Sequence, residues 1–313
     1  YNKLPGTNIK VSKICLGTMT WGVQNSKEEA FDQMDYSLDN GINFFDTAEL
    51  YPVPASAETY ATTEKFIGEW LVTRKSRDKI ILASKIAGPG DYTSHIRKTG
   101  FKGNSIDTAL ENSLKRLKTD YIDLYQLHWP ERNVAVFGQL DFKHDPNDND
   151  WTPIEEVLQN LNDLVRLGKI RHIGLSNETP WGITNFLYTA EKKKLPRVMT
   201  VQNGYNLINR VFDIANSEVA IREKCGLLAY SPLAGGRLSG KYLNGQRPEK
   251  SRYTLWPGRF SRHHTKRGDL AIEKYFNLAK KYNILPSKLA NAFVISRSFV
   301  ASSIIGSTNL KQL

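Results

Sequence analysis

The sequence has few cysteines and no long apolar run, and these absences exclude several classes of protein. Its 313 residues include two cysteines, Cys15 and Cys225, each inside a short apolar stretch. They lie far apart, so neither a disulfide framework nor a cysteine-rich zinc site can be built. No apolar stretch of about 18 residues predicts a membrane span, and the N-terminal residues 1–10 lack a hydrophobic signal region. We therefore expect a soluble, cytoplasmic protein without membrane association.

No G-x-G-x-x-G motif is present, which argues against a Rossmann-type dinucleotide-binding domain. Hydrophobic residues make up 40% of the chain and six residues are tryptophan, enough for a sizeable core. The chain has no break in composition and no Pro- or Ser-rich linker. Residues 1–313 are therefore expected to form a single domain.

The positive charge is concentrated in one segment. The formal net charge is +11, and the segment from Arg237 to Arg267 carries +8 of it, with nine basic residues and one acid, Glu249. A nucleic-acid-binding surface usually spreads its basic residues along helices or strands, whereas these lie in a loop punctuated by Gly and Pro. We therefore expect a small polyanion as partner and no nucleic acid, whose binding would show as a steep dependence of affinity on salt.

Short apolar runs alternate with helical patterns along the whole chain. Eight runs have the length of strands: Ile14–Met19, Ile42–Thr47, Ile80–Ile86, Ile122–Trp129, Ile170–Ser176, Val198–Asn203, Gly226–Leu233 and Ser302–Ser307. Segments between them have apolar residues at three- and four-residue spacing, and examples are Ser26–Asn40, Ala61–Thr73, Ser105–Leu117, Pro153–Leu167 and Asp269–Tyr282. Nearly continuous apolar strands joined by helices are typical of a parallel sheet covered by helices. Eight such units predict a closed (β/α)8 TIM barrel of the α/β class.

Two strand-to-helix connections are unusually long: residues 130–151 after the fourth strand, and residues 234–268 after the seventh. Active sites of such barrels are built by the loops on this side, and long loops in compact domains are usually functional. The acidic tip DPNDND of the first loop is expected to be a solvated turn.

Polar side chains occur at the ends of three successive predicted strands. Asp46 closes the second strand and Tyr51 follows five residues later, while Lys85 and His128 lie near the ends of the third and fourth. Each has an ordinary structural interpretation, such as a Lys85–Asp46 ion pair or a buried, hydrogen-bonded His128. However, a charge buried without a partner is costly. Four such groups at one mouth of a barrel therefore favour a functional site.

Together these groups would make a general acid. An unperturbed tyrosine has a pKa of about 10, and a nearby ammonium lowers that pKa while a carboxylate holds the ammonium in place. We therefore expect Lys85, held by Asp46, to lower the pKa of Tyr51 so that it can protonate an oxygen atom. His128 would orient a carbonyl oxygen beside the phenol by donating a hydrogen bond.

The remaining strand ends carry hydroxyl and amide groups. Ser176 and Asn177 close the fifth predicted strand, and Gln202 and Tyr230 lie at the ends of the sixth and seventh. This set suits a carboxamide-bearing ring such as nicotinamide, although short polar residues are also ordinary at strand ends. Two tryptophans adjoin these groups in sequence, and they are expected to wall an apolar substrate pocket unless they pack in the core: Trp21 and Trp129.

The residues resemble the aldo-keto reductase superfamily over essentially the whole chain. The resemblance is carried by the segments LGTMTWG, GINFFDTAELYPVP, ASKIAGPG, SLKRLKTDYIDLYQLHWP, GKIRHIGLSNE, VQNGYNL, AYSPLAGGRLSGKYLNG and IIGSTNLKQL. It is closest to the Tas-like branch, which is related to the voltage-gated potassium channel β subunits. It implies a (β/α)8 barrel that binds NADP(H) without a Rossmann fold and reduces aldehydes or ketones by hydride transfer from nicotinamide.

The resemblance also implies roles for individual residues. It implies a catalytic tetrad of Asp46, Tyr51, Lys85 and His128, with Tyr51 as the proton donor, and nicotinamide contacts from Ser176, Asn177, Gln202 and the stacking ring of Tyr230. Its other cofactor contacts are Thr18, Met19, Gln24, Ser231, Pro232, Leu233, Ala234, Gly235, Gly236, Arg237, Leu238, Ser239, Gly240, Lys241, Arg252, Gly306, Thr308 and Gln312. Residues 231–241 would cover the diphosphate, and Arg252, Gly306, Thr308 and Gln312 would surround the 2′-phosphate. The basic loop would then close over several phosphate charges, which favours NADP(H) over NAD(H).

Two features depart from the resembled family. Gln312 stands where many of these reductases have Arg, so phosphate recognition would depend more on Arg252, Lys241 and backbone donors. The chain also stops at Leu313, inside the expected eighth helix, and so looks truncated. The physiological substrate and the oligomeric state stay open.

Three other functions are alternatives. An NADP(H)-binding barrel could be a redox-sensing regulatory subunit with little turnover, but the channel β subunits have Asn where this chain has His128. Residues 235–241 have the spacing of a nucleotide-binding P-loop, but Tyr242 replaces the Ser or Thr that would ligate magnesium. His263 and His264 have no acids or cysteines nearby, and we expect them to be solvated and to bind no metal.

Overall fold

The chain begins with a short hairpin and continues into a closed barrel. The computed structural model describes the backbone of residues 1–313 and every side chain except that of Ser261. The hairpin consists of β1 (Asn2–Lys3) and β2 (Lys10–Val11). The barrel strands are β3 (Ile14–Gly17), β4 (Phe44–Asp46), β5 (Ile81–Ile86), β6 (Ile122–Leu127), β7 (Ile170–Ser176), β8 (Val198–Gly204), β9 (Gly226–Tyr230) and β10 (Val300–Ile305).

All eight barrel strands are parallel, and they follow one another around the barrel in chain order until β10 pairs with β3. The predicted (β/α)8 barrel is therefore confirmed. Several strands end earlier than predicted. The seventh stops at Tyr230 instead of Leu233, because Ser231 adopts a positive φ of 56° that turns the chain out of the strand direction.

The helices pack around the outside of the barrel. They are α1 (Lys27–Asp39), α2 (Thr62–Arg74), α3 (Ser105–Leu117), α4 (Ile154–Arg166), α5 (Pro180–Lys193), α6 (Asn216–Arg222), α7 (Arg252–Leu255), α8 (Lys266–Lys281) and α9 (Pro286–Ile295). The local sequence explains where α1 begins, because Ser26 and Glu29 form a reciprocal capping box with each other's backbone amides. None of the helices in the described part of the chain has the length and apolarity needed to cross a membrane.

The barrel interior changes from apolar to polar along the strand direction. Phe44, Ala83, Leu124 and Leu228 pack together inside the barrel. Side chains two residues further along a strand point to the same face, and in three of these strands the residue two positions on is polar: Asp46, Lys85 and Gln126. An apolar layer thus supports a buried polar layer at the carboxyl ends of the strands.

The two long loops lie on the same side as this polar layer. Residues 130–151 contain turns but no helix or strand, and their base is fixed because the Glu131 carboxylate accepts hydrogen bonds from the Phe101 and Thr152 amides at 2.7 and 2.9 Å. The second loop, residues 234–265, contains α7 and short 3-10 turns. Beyond β10, residues 306–313 form turns.

Candidate active site

Asp46, Lys85 and Tyr51 form one buried cluster at the mouth of the barrel. The Lys85 ammonium donates hydrogen bonds to Asp46 Oδ1 at 2.6 Å and to the Thr47 carbonyl at 2.8 Å, and it lies 3.5 Å from the Tyr51 hydroxyl. Lys85 is 0% exposed and Asp46 is 2% exposed. The charges are therefore tolerated only because they compensate each other and their hydrogen bonds are made.

A second buried ion pair positions the loop that carries Tyr51. The Glu49 carboxylate accepts a hydrogen bond from the Ala87 amide at 2.6 Å and pairs with both terminal nitrogens of Arg97, at 2.6 and 2.8 Å. Ala87 directly follows β5, the strand that carries Lys85. The Glu49 contacts thus tie the Tyr51 loop to the strand of its expected ammonium partner.

Burial, and not Lys85, decides the direction of the Tyr51 pKa. Desolvation raises the pKa of the Tyr51 phenol, and Lys85 offsets only part of that increase. The expectation that Lys85 leaves Tyr51 with a lowered pKa is therefore wrong in its net direction. Burial alone would lower the pKa of the Lys85 ammonium. The combined interactions with Asp46 and Tyr51 are larger than this effect of burial, so the net pKa of Lys85 is raised.

His128 lies beside Tyr51, with 5.7 Å between the two ring centroids and an edge-on arrangement. Burial, with a smaller contribution from Lys85, holds the pKa of His128 well below its usual value, so the imidazole is neutral at neutral pH. Its Nδ1 is buried and has no hydrogen-bond partner among the described residues. All four residues of the expected tetrad therefore lie next to one another at the barrel mouth. The Nδ1 atom of His128 is available for a further hydrogen bond.

Two glutamine side chains complete the polar layer around Asp46. Asp46 Oδ2 accepts hydrogen bonds from Gln126 Nε2 at 3.1 Å and from Gln202 Nε2 at 2.8 Å, and Gln202 also donates to Gln126 Oε1 at 3.1 Å. The amide nitrogen of Gln202 is thus directed at Asp46, and a contact from Gln202 to nicotinamide stays a prediction. Gln126 was not identified from the sequence. Its alternation with Leu124 on β6 is the signal that places it inside.

Ser176, Asn177 and Tyr230 form a connected hydrogen-bond network next to His128. The Ser176 hydroxyl donates to the Gln202 carbonyl at 2.9 Å, and Asn177 Nδ2 donates to the His128 carbonyl at 2.8 Å. The Tyr230 hydroxyl donates to Asn177 Oδ1 at 2.8 Å. These contacts hold three side chains from β7 and β9 and the turn after β7 at the edge of the tetrad, where the sequence predicted them.

The stretch from Ser231 to Lys241 has an unusual backbone. Ser231, Ala234, Gly235, Gly236 and Gly240 all have positive φ values, between 50° and 96°. Glycine is favoured at Gly236 because its φ of 96° is a backbone conformation that L side chains rarely adopt. Successive left-handed residues of this kind create concave, amide-lined surfaces that suit anions.

Within this stretch some side chains face the protein and not a ligand. The Arg237 guanidinium is buried and bonds to the Asp269 carboxylate and the His263 carbonyl. Its positive charge is therefore already compensated within the protein, so a contact from Arg237 to the cofactor, which stays a prediction, would supply no free charge. Ala234 and Leu238 pack into a small apolar cluster, so any contact from these two positions to a ligand would come from their backbone.

Of the basic residues assigned to the cofactor, Arg237 pairs with Asp269, whereas Lys241 and Arg252 have no acidic partner within the described side chains. Lys241 lies over the Tyr242 ring, and the Arg252 guanidinium lies 5.2 Å from the Phe260 ring centroid. Burial lowers the pKa of Arg252. Near the chain end, the Thr308 amide and hydroxyl both donate to Gln312 Oε1, at 3.2 and 3.1 Å.

The other expected cofactor positions surround the same mouth. Thr18 donates its hydroxyl hydrogen bond to the Asp46 carbonyl at 2.9 Å, and Met19 packs beside the apolar cluster that contains Tyr51. The Gln24 amide donates to the Lys250 carbonyl at 2.6 Å, which joins the loop after β3 to the basic loop. Gly306 directly follows β10, and a Cβ on it would lie 3.8 Å from the Gly17 carbonyl oxygen.

The two tryptophans have different environments. Trp129 belongs to a small cluster with Tyr51, its ring centroid lies 4.8 Å from that of His128, and its indole donates to the Pro89 carbonyl at 2.9 Å. Trp21 is 1% exposed and packs in the main core. Trp129 therefore lies beside the tetrad, and its place in the wall of a substrate pocket stays a prediction, whereas the core alternative holds for Trp21.

The adjacent histidines of the basic loop are not both solvated. His264 is exposed, but His263 is buried, and its desolvation lowers its pKa to about 4. The expectation that both histidines are solvated is thus wrong for His263. No group of three His, Cys, Asp or Glu side chains that could hold a metal ion occurs in the described part of the chain.

Comparisons with known proteins agree with this geometry. The sequence pattern of the Aldo/keto reductase family matches residues 13–313. Protein tas of Escherichia coli K12 is 43% identical over 318 aligned residues, which cover 100% of this chain and 90% of tas. The uncharacterized oxidoreductase YrpG of Bacillus subtilis is 33% identical and covers 100% of this chain and 88% of its own length. Norsolorinic acid reductase B of Aspergillus parasiticus is 31% identical over 74% of this chain and 57% of its own length.

The chain belongs to the aldo/keto reductase family. Membership in this family, together with the oxidoreductases among its relatives, supports an oxidoreductase that acts on carbonyl groups. Enzymes of the aldo/keto reductase family generally bind NAD(P)H. The donor set fits such a cofactor on three observations: the concave backbone of residues 231–241, the unpaired cations Lys241 and Arg252, and the unpartnered Nδ1 of His128.

Proposed function

We propose that this aldo/keto reductase reduces the carbonyl group of an aldehyde or a ketone, with NADP(H) as cofactor and Tyr51 as the general acid. The observation that carries the proposal is the 3.5 Å separation between the Lys85 ammonium and the Tyr51 hydroxyl, with Asp46 at 2.6 Å from the same ammonium. NADPH, when bound, supplies the hydride for the carbonyl carbon. The proton for the carbonyl oxygen comes from the chain's own side chains.

Tyr51 is suited to donate that proton. Burial raises its pKa, so the phenol carries its proton throughout the neutral range. Donating the proton leaves a phenolate, and the Lys85 ammonium stabilises this anion by its charge and by a hydrogen bond. Asp46 keeps Lys85 directed at Tyr51 by bonding its ammonium on the other side. The loss of the proton is thereby made less costly at the moment of reaction.

His128 is suited to orient the carbonyl oxygen. A neutral imidazole carries one N–H donor and one acceptor nitrogen, and the low pKa of His128 keeps it in that form. Its ring lies between Tyr51 and Trp129, so a carbonyl bound there would face both the phenol and the imidazole. The apolar side chains around Tyr51 exclude water, which strengthens both hydrogen bonds.

The choice of NADP(H) over NAD(H) rests on the basic loop. Lys241 and Arg252 have no acidic partner in the described structure, so their positive charges are not compensated by the protein itself. A 2′-phosphate adds negative charge that these two side chains could compensate. Arg237 is excluded from this role because Asp269 already binds it.

The test is turnover of a panel of aldehydes by the purified protein with NADPH. We expect NADPH consumption that is proportional to the alcohol formed. Reductive turnover should show no loss through pH 6.5, the usual pKa of histidine, because His128 stays neutral and Tyr51 stays protonated across it. Tight NADPH binding without turnover of any carbonyl would contradict the proposal and favour the redox-sensing regulatory alternative.

A further inference from the structure

Arg262 lies over the barrel mouth, where the two long loops meet. Its Nη1 donates a hydrogen bond to the Tyr230 hydroxyl at 3.3 Å, and its guanidinium carbon lies 5.5 Å from the Phe137 ring centroid. Gly138 packs so closely that a Cβ on it would lie 2.8 Å from Arg262 Cβ. The first loop therefore holds Arg262 in place from one side and β9 holds it from the other.

Contacts connect Arg262 to the tetrad along two sides. On one side, the Phe137 ring centroid lies 6.4 Å from that of Trp129, which lies 4.8 Å from that of His128. On the other side, the Tyr230 hydroxyl donates to Asn177, whose amide donates to the His128 carbonyl, both at 2.8 Å. Arg262 is thus one side chain away from the groups that border the reacting carbonyl.

The charge of Arg262 is not compensated by any acid among the described residues. Four other arginines that contact the barrel and its loops each pair with a carboxylate, and these are Arg97, Arg116, Arg132 and Arg237. Arg262 instead contacts a neutral phenol and an aromatic face. A planar guanidinium without an acidic partner retains the donors that bind a carboxylate with two parallel hydrogen bonds.

We propose that Arg262 recognises a carboxylate on the substrate, so that the substrate class is aldehydes or ketones that carry a carboxylate beyond an apolar or aromatic body. Trp129, with Tyr92 stacked on it at 5.5 Å between centroids, supplies an aromatic wall for that body. A role for Arg262 toward the cofactor diphosphate is less consistent with its place, because it bonds Tyr230, the residue expected to stack on the nicotinamide. This inference rests on the proposed function.

The experiment compares two substrates of the same shape, 4-carboxybenzaldehyde and methyl 4-formylbenzoate, with the same NADPH-loaded protein. We expect kcat/KM to be at least about tenfold higher for the carboxylate, because a charged hydrogen bond is lost with the ester. In Arg262→Gln the two kcat/KM values should become nearly equal, because KM for the carboxylate substrate rises. The kcat/KM of the ester should change by less than about twofold. Arg262→Lys should keep part of the preference, because it keeps the charge but loses the planar donor pair.

The matched control is Arg267→Gln, which removes the same charge from an exposed side chain at the start of α8. It should leave the substrate preference unchanged. If Arg267→Gln lowers the preference for the carboxylate substrate as much as Arg262→Gln does, the preference arises from general electrostatics. This result would overturn the proposal. A wild-type protein that prefers the ester, or an Arg262→Gln variant with an unchanged ratio, would overturn it as well.

A second readout separates this inference from the proposed function. Terephthalate, a substrate analogue with a carboxylate in place of the aldehyde group, is titrated into the NADP+-loaded protein, which requires no turnover. If Arg262→Gln binds terephthalate more weakly than the wild type and Arg267→Gln does not, the carboxylate site is supported even when neither aldehyde is reduced. In that case the absence of reduction contradicts only the proposed function. Equal terephthalate binding by the wild type and Arg262→Gln overturns the carboxylate site even if both aldehydes are reduced.

Discussion

Lys85 keeps its charge in the barrel interior because three oxygen atoms surround its ammonium. Two of them, Asp46 Oδ1 and the Thr47 carbonyl, are within 2.8 Å, and the third, the Tyr51 hydroxyl, lies at 3.5 Å. The second carboxylate oxygen of Asp46, Oδ2, accepts hydrogen bonds from Gln126 and Gln202. The group that stabilises a Tyr51 anion is therefore fixed on every side by protein atoms, so it needs no rearrangement when the proton leaves.

Asp46→Asn should disturb both stability and turnover. It leaves Lys85 buried without a counter-charge and brings an amide group toward the two glutamine amides, so we expect a loss of about 3–5 kcal/mol in unfolding free energy. Turnover should fall by about 100-fold or more, because Lys85 is no longer held against Tyr51. The measurements are denaturant unfolding and kcat with one aldehyde.

The control for this prediction is the double variant Asp46→Asn/Lys85→Met. It removes the uncompensated ammonium, so we expect it to regain most of the lost stability while turnover stays low. A double variant that is as unstable as Asp46→Asn would contradict the view that a buried unpaired charge causes the instability. A double variant that regains turnover would contradict the role of Lys85.

At the scale of single residues, much of the site could be predicted from the sequence. Lys85 and His128 stand out because a charged or titratable side chain interrupts an apolar strand. Gln126 does not stand out in the same way, because glutamine near a strand end is ordinary. The net direction of the Tyr51 pKa also could not be predicted, because desolvation depends on the packing around the phenol and not on which residues are near it in sequence.

At the scale of elements, the alternation along the strands explains which residues meet. Phe44 and Asp46 point into the barrel while Phe45 between them packs in the outer core, and Leu124 and Gln126 repeat this arrangement on β6. The strand ends therefore predicted the cluster of Asp46, Lys85 and His128 at the mouth, but not the place of Gln126 beside them. The helix pattern predicted α3 with its observed bounds, whereas α5, whose buried face includes Gly182 and Ala190, is not among the segments named from apolar periodicity.

The long loops were predicted as functional, but their contacts were not. The concentration of charge predicted a small polyanion as partner of the second loop, and the family resemblance assigned Arg237, Lys241 and Arg252 to the cofactor. The structure shows that Arg237 is neutralised by Asp269, that His263 is buried, and that Arg262 contacts the first loop. Such partners are set by the path of an irregular backbone, which has no periodic sequence pattern from which they could be read.

The double variant Lys241→Ala/Arg252→Ala tests the second loop as a phosphate-binding element. Because both side chains lack an acidic partner among the side chains that the structure describes, their removal should weaken NADPH binding by about tenfold or more while NADH binding changes less. The measurement is a fluorescence titration with each cofactor. Lys266→Ala/Arg267→Ala removes the same charge from exposed positions and should leave both affinities unchanged, whereas equal losses for NADPH and NADH in the first variant would contradict phosphate recognition.

At the scale of the whole molecule, closure of the barrel assembles the site. Asp46, Lys85 and His128 come from β4, from β5 and from the turn after β6, and these neighbouring strands pair in register around the barrel. Residues 39 positions apart in sequence thereby come within 2.6 Å of each other. The charge of the molecule is also organised at this scale, because the segment with +8 of the net +11 reaches the mouth through Arg262, which donates a hydrogen bond to Tyr230.

The central claim is that Tyr51 supplies the proton for carbonyl reduction. The most direct measurement is a single turnover of Tyr51→Phe, in which NADPH-loaded protein is mixed with excess aldehyde and the loss of NADPH is followed. Phenylalanine keeps the ring that packs against His128 and Trp129 and removes only the hydroxyl. We expect NADPH affinity to stay within about twofold of the wild type, while the rate of the single turnover falls by about 100-fold or more. A Tyr51→Phe variant that reduces the aldehyde at the wild-type rate would contradict the claim.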